Sequence, residues 1–350
     1  MEDHMKDNNF YYDSVYETPE SRMEKRKKQS SFFSRIFLGL CIYILCFNFI
    51  PTVIFIIAQI VMSNEDYAAL ISNTTIVTLV SSAAQYLIAF PIFFLITKDM
   101  TTSEKKEKKA LSLSEGVILF SIAEALMFVG NMIGNFFNTV IGTLIQSDPE
   151  NGIAEILENT PVWLTFVVVV VIAPIVEEVI FRKILIDRLS IYGDRVAIIF
   201  SAVAFGLMHA NLYQLFYATL IGALLGYVYT STRDVKHTIG IHAAANFFGG
   251  TLPLLVNRTG DYLSKLTSDA QLISIAEELA SSLYVNVQAG LLMAGIVAIM
   301  YRYKNRQITI SNDAEVYIPM KDMARGGIVN SGSITFIVIS LALTILNLFN

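Results

Sequence analysis

Long apolar runs broken by short polar loops fill this chain from about residue 33 to its end. An apolar run of roughly 18 residues or more is long enough to cross a bilayer as a helix. Nine segments are expected to do so, at about 33–62, 75–97, 115–145, 162–188, 195–211, 213–230, 237–257, 283–301 and 333–349. The short alternating segments of an outer-membrane barrel are not visible in the pattern. The expected fold class is an all-α polytopic membrane protein, a bundle of about eight to nine transmembrane helices.

Composition agrees. Of the 350 residues, 54% are hydrophobic and 16% charged, where a soluble domain carries about 25% charged residues. The lipid bilayer is therefore the expected surrounding, and nucleic acid is not an expected partner. Orientation follows from where Lys and Arg fall rather than from the net charge of −5. Lys98 with Lys105, Lys106, Lys108 and Lys109 marks one side. Arg182, Lys183, Arg188 and Arg195, then Arg233 and Lys236, then Arg302, Lys304 and Arg306 mark the same side, while the loops 63–74 and 146–161 hold neither Lys nor Arg. Only the loop with Arg258 and Lys265 departs. An integral plasma-membrane protein with a cytoplasmic amino terminus is expected, with an external carboxyl terminus if all nine segments cross. Residues 1–31 read as a mobile polar tail ending in the basic stop Lys25-Arg26-Lys27-Lys28, and the first span as a retained anchor. Cys41 and Cys46 both lie in the first apolar run and read as packing or lipid-facing residues, not a disulfide.

Against this background the ionisable residues stand out, since each costs at least about 2.5 to 3.5 kcal/mol within a span. Glu177, Glu178 and Arg182 follow the apolar run Val162 to Ile175. Glu178 and Arg182 are four residues apart, share a helix face and are expected to pair. Glu177 is rotated about 100° away, which leaves it free and suited to proton transfer. His209 follows Phe205 by one turn, and His242 precedes Asn246 by one turn. Counted at about 1.5 Å per residue from the basic ends, Glu177, His209, His242 and Asn246 reach one middle band of the bilayer. His242 and Asn246 share a face from which both can donate hydrogen bonds to a developing oxyanion. Phe205 is expected to wall the pocket. Taken singly, an intramembrane histidine or asparagine more often packs than reacts. The combination is what points to chemistry. A polar stripe of Glu124, Asn131, Asn135, Asn138 and Gly142 is expected to face into the bundle, either for helix contacts or, at Glu124, for a water or substrate path. Gly222 and Gly226 are expected to allow close helix packing, and Gly249-Gly250 with Pro253 to loosen the outer end of their span. The segment 302–332 reads as a connector.

The motifs Glu177-Glu178-x-x-x-Arg182, Phe205-x-x-x-His209 and His242-x-x-x-Asn246 resemble the CPBP family, the CAAX protease and bacteriocin-processing membrane proteins, which include the type II CAAX prenyl endopeptidases. The resemblance implies a four-helix catalytic core over residues 160–256, between amino-terminal helices at 32–145 and carboxyl-terminal helices with the connector at 257–350. It implies an endopeptidase in which Glu177 and His209 activate water, His242 and Asn246 stabilise the oxyanion, and Glu178 and Arg182 support the site. The substrate would be a membrane-associated peptide or protein, with no prenyl group implied by this sequence, and the site is expected to be reached from the cytoplasmic side. No cofactor is certain. A zinc ion on Glu177, His209 and His242 stays open, weakened by the lack of an H-E-x-x-H pair. Two other classes also stay open: a non-enzymatic immunity or scaffold protein on the same fold, and a proton-coupled transporter using Glu124 and Glu177, against which the missing internal repeat argues.

Overall fold

The computed structural model describes residues 18–104, 106–145, 158–311, 314–316 and 318–348. Most of the polar start with His4, Lys105, most of the loop expected at 146–161, and Phe349 at the end of the last expected span lie outside the described residues. Eleven helices organise the rest: α1 (Pro19–Val61), α2 (Asn64–Ser72), α3 (Thr74–Thr97), α4 (Leu113–Ile145), α5 (Val162–Tyr192), α6 (Asp194–Met208), α7 (Leu212–Thr232), α8 (Val235–Asn257), α9 (Ala270–Lys304), α10 (Met320–Ile328) and α11 (Ser331–Leu346). Side-chain caps set several starts: Ser63 accepts from Asp66 N–H, Asn73 from Ile76, Asn211 from Gln214, Asp269 from Gln271 and Leu272, and Asn330 from Ser333. Each satisfies an amide that a first helical turn leaves free. The short helices α2 and α10 fall in stretches that the apolar pattern left as loop and connector.

Seven of these helices are long and apolar enough to cross a membrane, and the pair α10–α11, bent by 65°, makes an eighth if it counts as one span. The expected segment 195–211 becomes the 15-residue α6, roughly 22 Å long and short of the ~30 Å apolar core. It stops at His209 because Ala210 adopts a left-handed φ of 47° and Asn211 then caps α7.

α6 and α7 pack antiparallel, and α7 packs in turn on α4. The expected glycines lie on the first seam: a methyl added at Gly222 would stand 3.2 Å from Ala202 Cα. Closer approaches occur at Gly206 on the same seam, where an added Cβ would meet the Leu215 carbonyl at 2.6 Å, and at Gly130 on the α4–α7 seam, where it would meet Tyr217 Cα at 2.3 Å. The polar stripe on α4 divides. Glu124, Asn138 and Gly142 are buried, whereas Asn131 and Asn135 are exposed, contrary to expectation. Small residues on the neighbouring face, Gly130 and Gly134, are what let α7 come close, and that turns the two asparagines out of the seam. Cys41 and Cys46 are free thiols, the first buried.

α5 and α8 each widen by one residue per turn just before a proline. The Ala173 N–H reaches back five residues to the Val168 carbonyl, and the Leu252 N–H reaches back five to the Phe247 carbonyl. The next residues, Pro174 and Pro253, have no N–H to continue the series. The carbonyls of Val169 and Phe248 therefore lose their partners within the helix. Both find outside donors: Asn246 Nδ2 donates to Val169 O at 2.8 Å, while Tyr284 Oη and Gln288 Nε2 donate to Phe248 O at 3.2 and 3.3 Å.

Candidate active site

α5, α6 and α8 bring the polar residues of three separate apolar segments together. Glu178 and Arg182, both fully buried, form the expected ion pair across one turn, with Arg182 Nε 3.0 Å from Glu178 Oε2. The guanidinium also lies 4.9 Å from the Phe205 ring centroid, over an aromatic face that suits a desolvated cation. Its Nη1 stands 3.5 Å from Ser201 Oγ, whose own hydroxyl donates to the Phe181 carbonyl at 2.8 Å. Arg182 is thereby tied to α6 as well as to its own helix.

The second oxygen of Glu178 has a partner that spacing along the chain does not reveal. Its Oε1 lies 2.9 Å from His242 Nδ1, so α5 and α8 are joined through a buried carboxylate–imidazole pair. Donation from Nδ1–H turns His242 Nε2 toward Glu177, whose Oε2 is 3.7 Å away. Glu177 is the one carboxylate of the pair left partly accessible, its side chain 17% exposed. The expected division into a satisfied Glu178 and a freer Glu177 matches this geometry.

His209 caps the end of α6, and its Nδ1 bonds the Phe205 carbonyl at 2.7 Å. Phe205 presents its ring edge-on to both imidazoles, at 4.9 Å from His209 and 5.7 Å from His242. Beyond His209 the Ala210 carbonyl accepts from Asn347 Nδ2 at 2.7 Å, which anchors the turn to the end of α11. Asn246 lies one turn past His242 and spends one amide hydrogen on Val169 O, leaving the second. The sequence reading missed Ser201, Asn347 and the Asn246–Val169 bond; the signal for the last is Pro174, five residues beyond Val169.

Among the described residues no three His, Cys, Asp or Glu side chains converge at metal-ligating spacing. Nδ1 of each histidine is engaged, His242 on Glu178 and His209 on the Phe205 carbonyl, which leaves Nε2 of each uncommitted.

The ionic contacts at one end of the bundle bear on orientation. Asp194 pairs with Arg233 at 2.6 Å and Lys106 at 3.4 Å, Lys108 with Asp234 at 3.5 Å, and Arg302 with Glu115 at 2.5 Å. Basic residues from three separate segments thus gather at the same end.

Residues 159–248 match the family model described as Type II CAAX prenyl endopeptidase Rce1-like. The chain is 27% identical over 197 residues to YdiL of Bacillus subtilis (strain 168), a protein whose name assigns it provisionally to the membrane peptidases; the alignment covers 56% of this chain and 78% of that one. It is 23% identical over 167 residues to the UPF0177 protein YxdF of Lactococcus lactis subsp. lactis (strain IL1403), covering 47% of this chain and 88% of the relative. No solved structure matches significantly. The matched stretch holds Glu177, Glu178, Arg182, Phe205, His209, His242 and Asn246, the same side chains that α5, α6 and α8 bring together. Through this core the chain resembles the CPBP family and its type II CAAX prenyl endopeptidase-like members.

Proposed function

We propose that this protein is an intramembrane endopeptidase that hydrolyses a peptide bond of a membrane-associated substrate with a water molecule activated by Glu177. The observation that carries the reading is His242 set between two carboxylates, 2.9 Å from Glu178 and 3.7 Å from Glu177, on an otherwise apolar helix. Two carboxylates and one guanidinium leave the cluster one negative charge in excess. A proton on His242 Nε2 balances it. The imidazolium so formed is held by Glu178 on one side and is a donor on the other, aimed at the oxygen of a scissile carbonyl. Asn246 adds its second amide hydrogen.

In the proposed step the water oxygen attacks the carbonyl carbon and its proton passes to Glu177. His209 Nε2, free because Nδ1 is bonded to Phe205, orients the water. When the tetrahedral intermediate collapses, Glu177 returns that proton to the leaving amine nitrogen. Arg182 holds Glu178 ionised and takes no direct part. The basic end of the bundle supports a cytoplasmic orientation for that end, and with it entry of substrate from the cytoplasmic side.

Purified protein is tested on fluorogenic peptides tethered to a membrane anchor. Glu177→Gln keeps the shape and removes the base, and is expected to lower the rate by about 10²- to 10⁴-fold. Equal cleavage by the two forms ends the proposal. Full complementation of a deletion strain by the His209→Gln, His242→Gln double variant would instead favour a non-enzymatic role on the same scaffold.

A further inference from the structure

The proposed hydrolytic site does not use the cavity on the other side of α8. This cavity, about 430 Å³, opens between α4, the widened turn of α8 and α9. Glu124 stands in its wall, only 7% exposed, and its Oε1 has no hydrogen-bond partner. No Lys, Arg or His lines the cavity among the described residues. A carboxylate placed alone in an apolar interior is strongly destabilised unless it takes up a proton or meets a positive charge.

Two other polar groups of the wall, Gln288 and Tyr284, offer acceptors rather than donors. Gln288 Nε2 is spent on the Phe248 carbonyl at 3.3 Å and on Tyr284 Oη at 3.1 Å, which leaves its oxygen available. Tyr284 spends its own hydroxyl hydrogen on that same carbonyl. Asn131, exposed on α4 and out of the helix seam, adds a side-chain amide to the lining. Met127, Phe128, Val285 and Leu292 supply the apolar remainder. A cluster of acceptors around one carboxylate, walled by hydrocarbon, matches a group with three N–H donors, one positive charge and an apolar body.

We propose that this cavity binds a primary ammonium group on an apolar stem. The stem belongs either to a lysine side chain of a membrane-inserted peptide or to a free amphiphilic amine. The inference stands apart from the endopeptidase reading, because binding is read without any cleavage.

The full-length protein in a neutral maltoside detergent is titrated with dansylcadaverine, a primary amine whose fluorophore brightens in apolar surroundings. Saturable binding is expected, with affinity about tenfold lower for the dansyl pentylamide that lacks the amine, and about tenfold lower for Glu124→Gln. Gly249→Leu gives a second arm: an added Cβ there meets only Met127 Cε, at 3.3 Å, so the variant fills the cavity without touching the carboxylate, and binding is expected to be lost. Glu177→Gln is expected to bind the probe as the wild type does. Displacement by a transmembrane peptide with one lysine, and not by its norleucine counterpart, assigns the stem to a peptide. Displacement by hexylamine and by neither peptide assigns it to a free amine. Equal affinity for amine and pentylamide, or unchanged binding in Glu124→Gln or in Gly249→Leu, overturns the proposal.

Discussion

The Val169 and Phe248 carbonyls present the same backbone problem with two different solutions. Each is orphaned by a proline five residues ahead, at Pro174 and Pro253, in a helix that has already widened. An unpartnered carbonyl in hydrocarbon is destabilising, so both need a donor from another helix. In α5 the donor is a single amide from Asn246, a residue of the matched core. In α8 two donors from α9, Tyr284 and Gln288, do the work, and both lie outside that core. The first solution gives one residue two duties, because the amide that seals α5 also sits one turn from His242. The second is redundant and lies away from the proposed hydrolytic site. The contrast teaches that a polar residue near a catalytic cluster can be held in place by a helix defect, and that its reactivity cannot be judged apart from that anchoring.

The largest effect is expected from Asn246→Leu. It removes the only donor that Val169 has among the described residues and one of the two proposed oxyanion donors. A loss of about 1 to 2 kcal/mol of stability, read by unfolding in mixed micelles, should accompany a fall of about 10²-fold or more in cleavage. Next comes the double variant Tyr284→Phe, Gln288→Leu, which strips both donors from Phe248. A comparable loss of about 1 to 2 kcal/mol is expected, with cleavage largely retained; an equal collapse of cleavage would show that the two carbonyls are not separable in function. Smaller still is the coupling between Pro174→Ala and Asn246→Leu. Alanine restores an N–H that can reach Val169, so the double variant should be about 0.5 to 1 kcal/mol more stable than additivity allows. Additive behaviour would break the account of the orphaned carbonyl. The smallest effect belongs to Tyr284→Phe alone, at roughly 0.5 kcal/mol or less, because Gln288 still covers the carbonyl.

The helical membrane fold and the polar residues that break its apolar segments were legible because they rest on local or compositional signals. Apolar run length marked the long helices, and the four-residue spacing of Glu178 and Arg182 announced their pairing before any contact was known. The bond between Glu178 and His242 was out of reach, since the partners are 64 residues apart and nothing in either segment selects the other. α6 came out shorter than its apolar stretch because hydropathy does not register the left-handed backbone at Ala210. The inward face of α4 was misjudged for a related reason. Polar residues were taken as its marker, while the glycines that admit α7 define it in fact.

The pairing of Glu178 with Arg182 bears on how the chain is made. Its two members are separated by a single turn, so the charge on Arg182 is neutralised as soon as α5 coils. His242, the other partner of Glu178, has not yet left the ribosome at that moment. A segment whose guanidinium is paired in this way can be handed from the insertion machinery to lipid without a stranded cation, and the later arrival of α8 brings His242 to both carboxylates.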